Sequence, residues 1–194
     1  MLILFEEEKK MAREMIRQGG RSARIQEEVH KAVNMLLKTR DRSELTVPMV
    51  AETAGVTPST LYRRWGDLTQ LLADVAVARM RPISEPEDTG EMQSDMEAFI
   101  LQYAEEMSSK PGRQMLADVI GSGSNGATVK CCGFTALHLE TLRKRAIARG
   151  EAGFSIDEAV DTVVAPVIYH ILFEDREPTP DYCRERVARL FQNR

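Results

Sequence analysis

TVPMVAETAGVTPSTLYRRWGDLTQLL, residues 46–72, decides how this chain is read. Thr46 is a suitable N-cap for a short helix carrying Val47, Val50, Ala51 and Ala54, and Gly55 follows where the backbone must turn in a way other residues resist. Thr57 then caps a second helix, and Pro58 takes its first position, where a missing N–H costs nothing. That helix continues through Ser59, Thr60, Leu61, Tyr62, Arg63, Arg64 and Trp65. Two helices around a glycine turn form a helix-turn-helix, which implies DNA reading. Ser59, Thr60 and Tyr62 can exchange hydrogen bonds with DNA, while Arg63 and Arg64 can reach phosphates or guanine edges. The competing reading is an ordinary helical hairpin with Tyr62 and Trp65 in a core and both arginines solvated.

The flanks favour the first reading. Upstream, Ile25, Val29, Ala32, Val33, Leu36 and Leu37 recur at helical spacing and supply the stripe on which such a pair must pack. Downstream, Asp67 can cap a further helix with Leu68, Leu71, Leu72, Val75 and Ala76 on one face. The segment PISEPEDTG, 82–90, has two prolines and three acidic residues, so it breaks the pattern as a linker or loop. The expected division is an N-terminal extension at 1–20, a helix-turn-helix domain at 21–66, a connecting helix at 67–81 and a helical body at 82–194. Charge agrees with it. The whole chain carries −4, yet residues 21–81 hold 10 Lys and Arg against 7 Asp and Glu, and residues 82–194 hold 12 against 19. The basic surplus lies where the motif is.

The body reads as five helices, for about nine in an all-α fold. Met92, Met96, Phe99, Ile100, Tyr103 and Met107 mark the first, which stops near Pro111 and Gly112. Met115, Leu116, Val119 and Ile120 mark a shorter second, before the connector GSGSNGA at 121–127. That connector is no phosphate cradle, because it lacks the Gly-Lys-Ser/Thr ending and no strand precedes it. A third helix, about 128–149, is apolar on more than one face. The fourth opens with Ser155 and Glu158 in a capping-box arrangement and should be kinked by Pro166. The last opens with Thr179 and Pro180.

No catalytic residues, metal ligands or cofactor are expected. His30, His138 and His170 stand on separate helices, and no nucleophile elbow or paired catalytic carboxylates occur. Cys131 and Cys132 are adjacent and read as idle thiols, with a redox switch beside the glycine-rich connector as the alternative. No apolar run approaches the roughly 20 residues that span a bilayer, so no membrane partner and a cytoplasmic location are expected.

Residues 21–81, centred on TVPMVAETAGVTPSTLYRRWGDLTQLLADV, resemble the DNA-binding domain of the tetracycline-repressor (TetR) family of bacterial transcription regulators. The resemblance implies a recognition helix from Thr57 to Arg64, with Thr46 and Tyr62 on phosphates. Many members have a lysine at the start of the following helix. Gly66, Asp67, Leu68 and Thr69 stand there instead, so that contact is missing or comes from Arg21, Arg24 or backbone N–H groups. The resemblance further implies a homodimer in which the last two helices pair with their copies. The stripe Val160, Val164, Val167, Ile171, Val187, Leu190 and Phe191 would be divided between core and interface. It also implies an effector cavity, for which Met96, Phe99, Tyr103, Met107, Met115, Phe134, His138 and Ile168 are the candidate lining. The expected function is a ligand-responsive regulator, a repressor in sign, binding a near-palindromic double-stranded DNA operator and released by a small apolar or aromatic effector. The alternatives are a ligand-independent DNA-binding dimer and a helical interaction protein without DNA binding.

Overall fold

Ile25, Val29, Ala32, Val33 and Leu36 share one face of the first helix, α1, residues 20–36, because three- and four-residue spacing returns to the same side of a 3.6-residue turn. The computed structural model describes residues 20–174 and 177–192, so the extension expected at 1–20 lies outside the described residues save for its last position. After a 3₁₀ turn at Arg42–Glu44 come α2 (Val47–Thr53) and α3 (Pro58–Trp65). Thr46 caps α2 by accepting from Met49 N at 3.4 Å, and Gly55 makes the turn at φ +66°. Gly66, at φ +85°, ends α3, and Asp67 Oδ1 caps α4 (Leu68–Met80) by accepting from Gln70 N at 2.9 Å. Leu61 is the one buried residue of α3. It joins Val29, Val33, Val50, Leu71 and Leu72 in the core of this unit.

A polar cluster supplements that core. Asp74 Oδ2, on α4, accepts from Gln26 Nε2 and His30 Nε2 of α1 and from Trp65 Nε1 of α3, each at 2.9 Å. Burial by itself would raise the Asp74 carboxyl. The hydrogen bonds from His30, Trp65 and Gln26 outweigh it and hold the group at about 2.

The chain divides into two compact units between Val75 and Ala76, inside α4, whereas the sequence placed all of 67–81 in a separate connector. Apolar contacts explain the position: Leu71, Leu72 and Val75 pack in the first core, while Ala76 and Val77 pack with Val119. The second unit contains α5 (Met92–Ser108), α6 (Lys110–Gly121) and α7 (Asn125–Ala148). The eighth helix of the chain, α8, begins at Ile156–Ala159, widens into a π-helical stretch at Val160–Val164 and continues as Ala165–Phe173. A ninth, α9, is Pro180–Gln192, opened by Thr179 Oγ1 accepting from Tyr182 N at 3.2 Å. Among the described residues there are nine helices and no strand, as the sequence predicts.

Local details depart from expectation. Pro111 begins α6 instead of ending α5, and Ser109 Oγ caps it by accepting from Gly112 N. Gly112 must be glycine, since a Cβ there would stand 2.0 Å from the Glu106 carbonyl oxygen. Helices take up most of the expected 121–127 connector and leave 122–124, where Gly123 turns at φ +60°. Pro166 has no N–H for the carbonyl four residues back, and the widened π turn immediately before it accommodates that loss.

The 82–90 segment is a tied strap. Arg145 Nη1 donates to Pro86 O at 2.7 Å and Nη2 to Glu85 at 2.6 Å; Arg149 bonds Asp88 at 3.0 Å, Asp95 at 2.8 Å and Glu151 at 2.7 Å. Thr89 donates to the fully buried Asp95 through both N and Oγ1. Desolvation pushes the Asp95 carboxyl up, and Thr89 and Arg149 reverse the shift and lower it.

Most of the stripe expected to divide between core and interface is buried in the core, and two of its residues are partly exposed. Val164, Val167, Ile171, Val187 and Leu190 are buried within the protomer, and Val160 and Phe191 pack against the same cluster. The exposed large apolar residues of α8 are instead Tyr169 and Phe173, 55% and 72% exposed.

A carboxyl held below its ordinary 3.8 stabilises the fold above that value and loses the contribution as pH falls through about 2. Urea unfolding followed by the fluorescence of Trp65, the single tryptophan, should therefore show stability falling between pH 4 and pH 2. Asp74→Asn should flatten that dependence and cost about 2 kcal/mol at neutral pH, the cost of unpairing buried donors. An unchanged pH profile in the variant would show that another carboxyl is responsible.

Candidate nucleic-acid interface and internal cavity

Burying Leu61 turns the opposite side of α3 outward. Thr57, Pro58, Ser59, Tyr62 and Arg63 are exposed, Tyr62 by 51%, and Thr60 is half-buried. Thr57 occupies the expected N-cap with extended backbone, but its hydroxyl bonds Ser59 Oγ at 3.0 Å and Thr60 Oγ1 at 2.9 Å instead of capping a backbone N–H. Thr46 is exposed at the start of α2.

The two arginines separate. Arg63 has no hydrogen-bond or ion-pair partner among the described residues, so its guanidinium is available to a phosphate or a base edge. Arg64 is engaged within the unit. Its Nη1 donates to Ser22 O at 2.8 Å and Ser22 Oγ at 2.7 Å, its Nη2 donates to Gln26 Oε1 at 2.9 Å, and its guanidinium carbon lies 5.0 Å from the centre of the Trp65 ring. Arg21 and Arg24 are exposed in the first turns of α1, so they belong to a helix and not to an extended arm. At the start of α4, Asp67 occupies the Gln70 N–H with its own carboxylate. That charge opposes a phosphate there, whereas Arg21, Arg24 and Arg63, the other cations expected to contact DNA, are exposed.

The second unit contains a partly open cavity of about 80 Å³. One wall is the α5 stripe Phe99, Gln102, Tyr103, Glu106 and Met107, and another is the α7 stripe Cys131, Phe134, Thr135 and His138. Met80 and the strap residues Pro82, Ser84, Glu85 and Pro86 complete the lining. Phe99, Tyr103, Met107, Phe134 and His138 were expected here. Met96 is fully buried in the core, Ile168 packs against that core, and Met115 packs with Ala76, Val77 and Val119; none of the three lines the cavity. The other wall residues had a sequence signal. Gln102 and Glu106 stand three and seven positions after Phe99, and Cys131 and Thr135 lie in the same helical register as Phe134 and His138.

The interior is apolar with sparse polar groups. Phe99 meets Tyr103 at 5.8 Å and the His138 ring edge-on at 5.6 Å between centroids. Burial pushes the Tyr103 hydroxyl up against a smaller lowering by its hydrogen bond with Thr135, so the phenol stays protonated at neutral pH. His138 Nε2 is buried without a partner among the described residues, a deficit of roughly 1–3 kcal/mol that a bound group could remove. Burial and the neighbouring Cys132 raise the Cys131 thiol, which opposes the thiolate a redox switch requires. Among the described residues no group of three or more His, Cys, Asp or Glu is placed to hold a metal, and no helix is long and apolar enough to cross a membrane.

Separating the arginines gives a direct test. Arg63→Ala should weaken binding to a labelled duplex about tenfold and reduce the salt slope by about 1, while leaving the Trp65 unfolding midpoint unchanged. Arg64→Lys keeps the charge but loses the planar fork, and should lower that midpoint with a cost of about 1 kcal/mol. Equal loss of stability in both variants would contradict the separation.

Comparison with known proteins agrees with this geometry. Residues 31–75 match the family model for bacterial regulatory proteins of the tetR family, and residues 86–190 match the model for a tetracyclin repressor-like C-terminal domain. The chain is 23% identical over 187 residues to YdeS of Bacillus subtilis (strain 168), described as an uncharacterized HTH-type transcriptional regulator; the alignment covers 90% of this chain and 94% of YdeS. The crystal structure of the TetR family transcription regulator SCO0332 is similar with a TM-score of 0.67 and 25% identity, over 88% of this chain and 98% of that one. With an outward-facing α3 on a helix-turn-helix and a matching C-terminal domain, this chain belongs to the TetR family of bacterial transcription regulators.

Proposed function

We propose that the protein is a cytoplasmic, ligand-responsive repressor that binds a near-palindromic operator as a homodimer and is released by a small apolar or aromatic effector. The exposed Ser59, Tyr62 and Arg63 face of α3 carries the DNA part of this reading. One copy presents a modest basic surplus, so affinity depends on two recognition helices about 34 Å apart, in successive major-groove faces. Arg63 and Tyr62 are the base-edge and phosphate candidates; Thr46, Arg21 and Arg24 are backbone candidates; and Arg64 holds α3 in position. The dimer forms through the outward side of α8, with Tyr169 and Phe173 as anchors, because those residues are exposed while the Val160–Leu190 stripe is used within the protomer.

The effector occupies the α5–α7 cavity. About 80 Å³ is well below the roughly 300–1,000 Å³ of typical ligand sites, so the unliganded walls must part to admit it. Binding then favours an arrangement of the dimer in which the recognition helices no longer match the operator, and differential affinity for the two arrangements sets the response. The small volume also favours a second reading, a ligand-independent DNA-binding dimer with a filled body. A thermal-shift panel of apolar metabolites separates the two, since only the first expects a rise in Tm.

Selection of bound duplexes from a random pool should enrich an inverted repeat, and the Arg63→Ala variant should not enrich it. Absence of enrichment at low salt, also after unfolding and ligand-free refolding, would sink the DNA-binding proposal. In sedimentation at micromolar concentration the protein should be a dimer, and Tyr169→Asp with Phe173→Asp should make it monomeric while keeping its helical content; a monomeric parent would remove the dimer proposal.

A further inference from the structure

The charges around the cavity carry information about its ligand. Its lining includes no lysine or arginine, but it includes the carboxylates of Glu85 and Glu106. Glu85 is paired with Arg145 at 2.6 Å. Glu106 is not paired with a cation: its carboxylate accepts only from the Gln102 amide, at 2.8 Å, among the described residues. Glu106 and Gln102 are exposed, which places a negative charge without a cationic partner at the rim of a mostly apolar cleft. Behind the rim stand the rings of Phe99, Tyr103 and Phe134, whose negative π faces attract cations. His138 Nε2 is buried on the same wall with no partner among the described residues. In the tautomer with the proton on Nδ1, it is an acceptor for a donor on the bound molecule.

We propose that this cavity selects lipophilic protonated amines, an aryl or alkyl body bearing an ammonium group, over neutral and anionic molecules of the same shape. The proposal rests on the reading of the cavity as the effector site. The apolar body enters between α5 and α7, the ammonium lies at the Glu106 rim, and a carboxylate in the same position meets repulsion with no cationic side chain in the lining to offset it.

A matched set of probes tests it: 2-phenylethylammonium, 2-phenylethanol and phenylacetate, titrated into the full-length protein at neutral pH and followed by ligand-observed NMR. The ammonium should bind at least about tenfold more tightly than the alcohol, with phenylacetate weakest. Glu106→Gln should bring the ammonium-to-alcohol ratio close to one. Phe134→Trp should fill the cavity and weaken every probe, and Gln102→Trp, at an exposed position on the rim, should do the same should the Phe134 variant fail to fold. The proposal is overturned if the alcohol or the carboxylate binds as tightly as the ammonium, if the ratio survives Glu106→Gln, or if ammonium binding survives both blocking variants. It is equally overturned if no probe binds at millimolar concentration. Where alcohol or carboxylate binding is lost in the blocked variants, the effector cavity stands and only the preference for a cation falls; where no probe shows such a loss, the effector reading falls with it.

Discussion

One oxygen atom fixes the reading helix. α3 is 8 residues long and buries only Leu61, and a single buried leucine contributes about 1.5–3 kcal/mol without fixing rotation about the helix axis. Asp74 Oδ2 supplies the missing constraint. It takes N–H groups from two residues of α1 and from Trp65 at the end of α3, so three helices meet at one acceptor. Arg64 adds a second tie from α3 to α1, through Ser22 and Gln26. With Leu61, Arg64 and Trp65 directed into the unit, the side left facing outward is that of Ser59, Tyr62 and Arg63. The polar cluster therefore bears on function even though none of its members need touch DNA.

The second unit uses charge in a comparable way. Arg145 and Arg149, one turn apart near the end of α7, hold the 82–90 strap through its carbonyls and carboxylates, and Arg149 also neutralises the fully buried Asp95. A buried carboxylate without such partners would be strongly destabilising, which accounts for three donors converging on it from Thr89 and Arg149. The strap held this way is also a wall of the cavity. Cavity shape thus depends on ion pairs at the end of α7 as well as on the apolar stripes. The same acidic strap and rim give the site its charge character, through one carboxylate that is paired and one that is not.

Helix number, order and caps were legible in the sequence. Gly55 at positive φ, Thr46, Ser155 and Thr179 at N-caps, and Pro58 and Pro180 at first positions are where local chemistry places them. The cavity was legible in part: five of its residues follow from aromatic and sulfur side chains at helical spacing, while Gln102, Glu106, Cys131 and Thr135 share that register but lack the apolar bulk that marks a lining. Met115 and Ile168 share the chemistry of the lining but belong to other contacts, Met115 with Ala76 and Val119 and Ile168 with the main core of this unit.

By itself, then, the sequence determined an all-α chain with a helix-turn-helix before a helical body, because periodicity, caps and glycine turns depend on neighbours a few residues away. Tertiary structure alone decided which of two adjacent arginines faces outward, since the partners of Arg64 lie 38 and 42 residues away in the chain. It likewise decided that the strap is tied down, by partners about 60 residues distant, and that the β-branched stripe of α8 and α9 fills the protomer's own core. An amphipathic pattern specifies that a helix has a face to bury, but which surface covers that face depends on packing between distant segments.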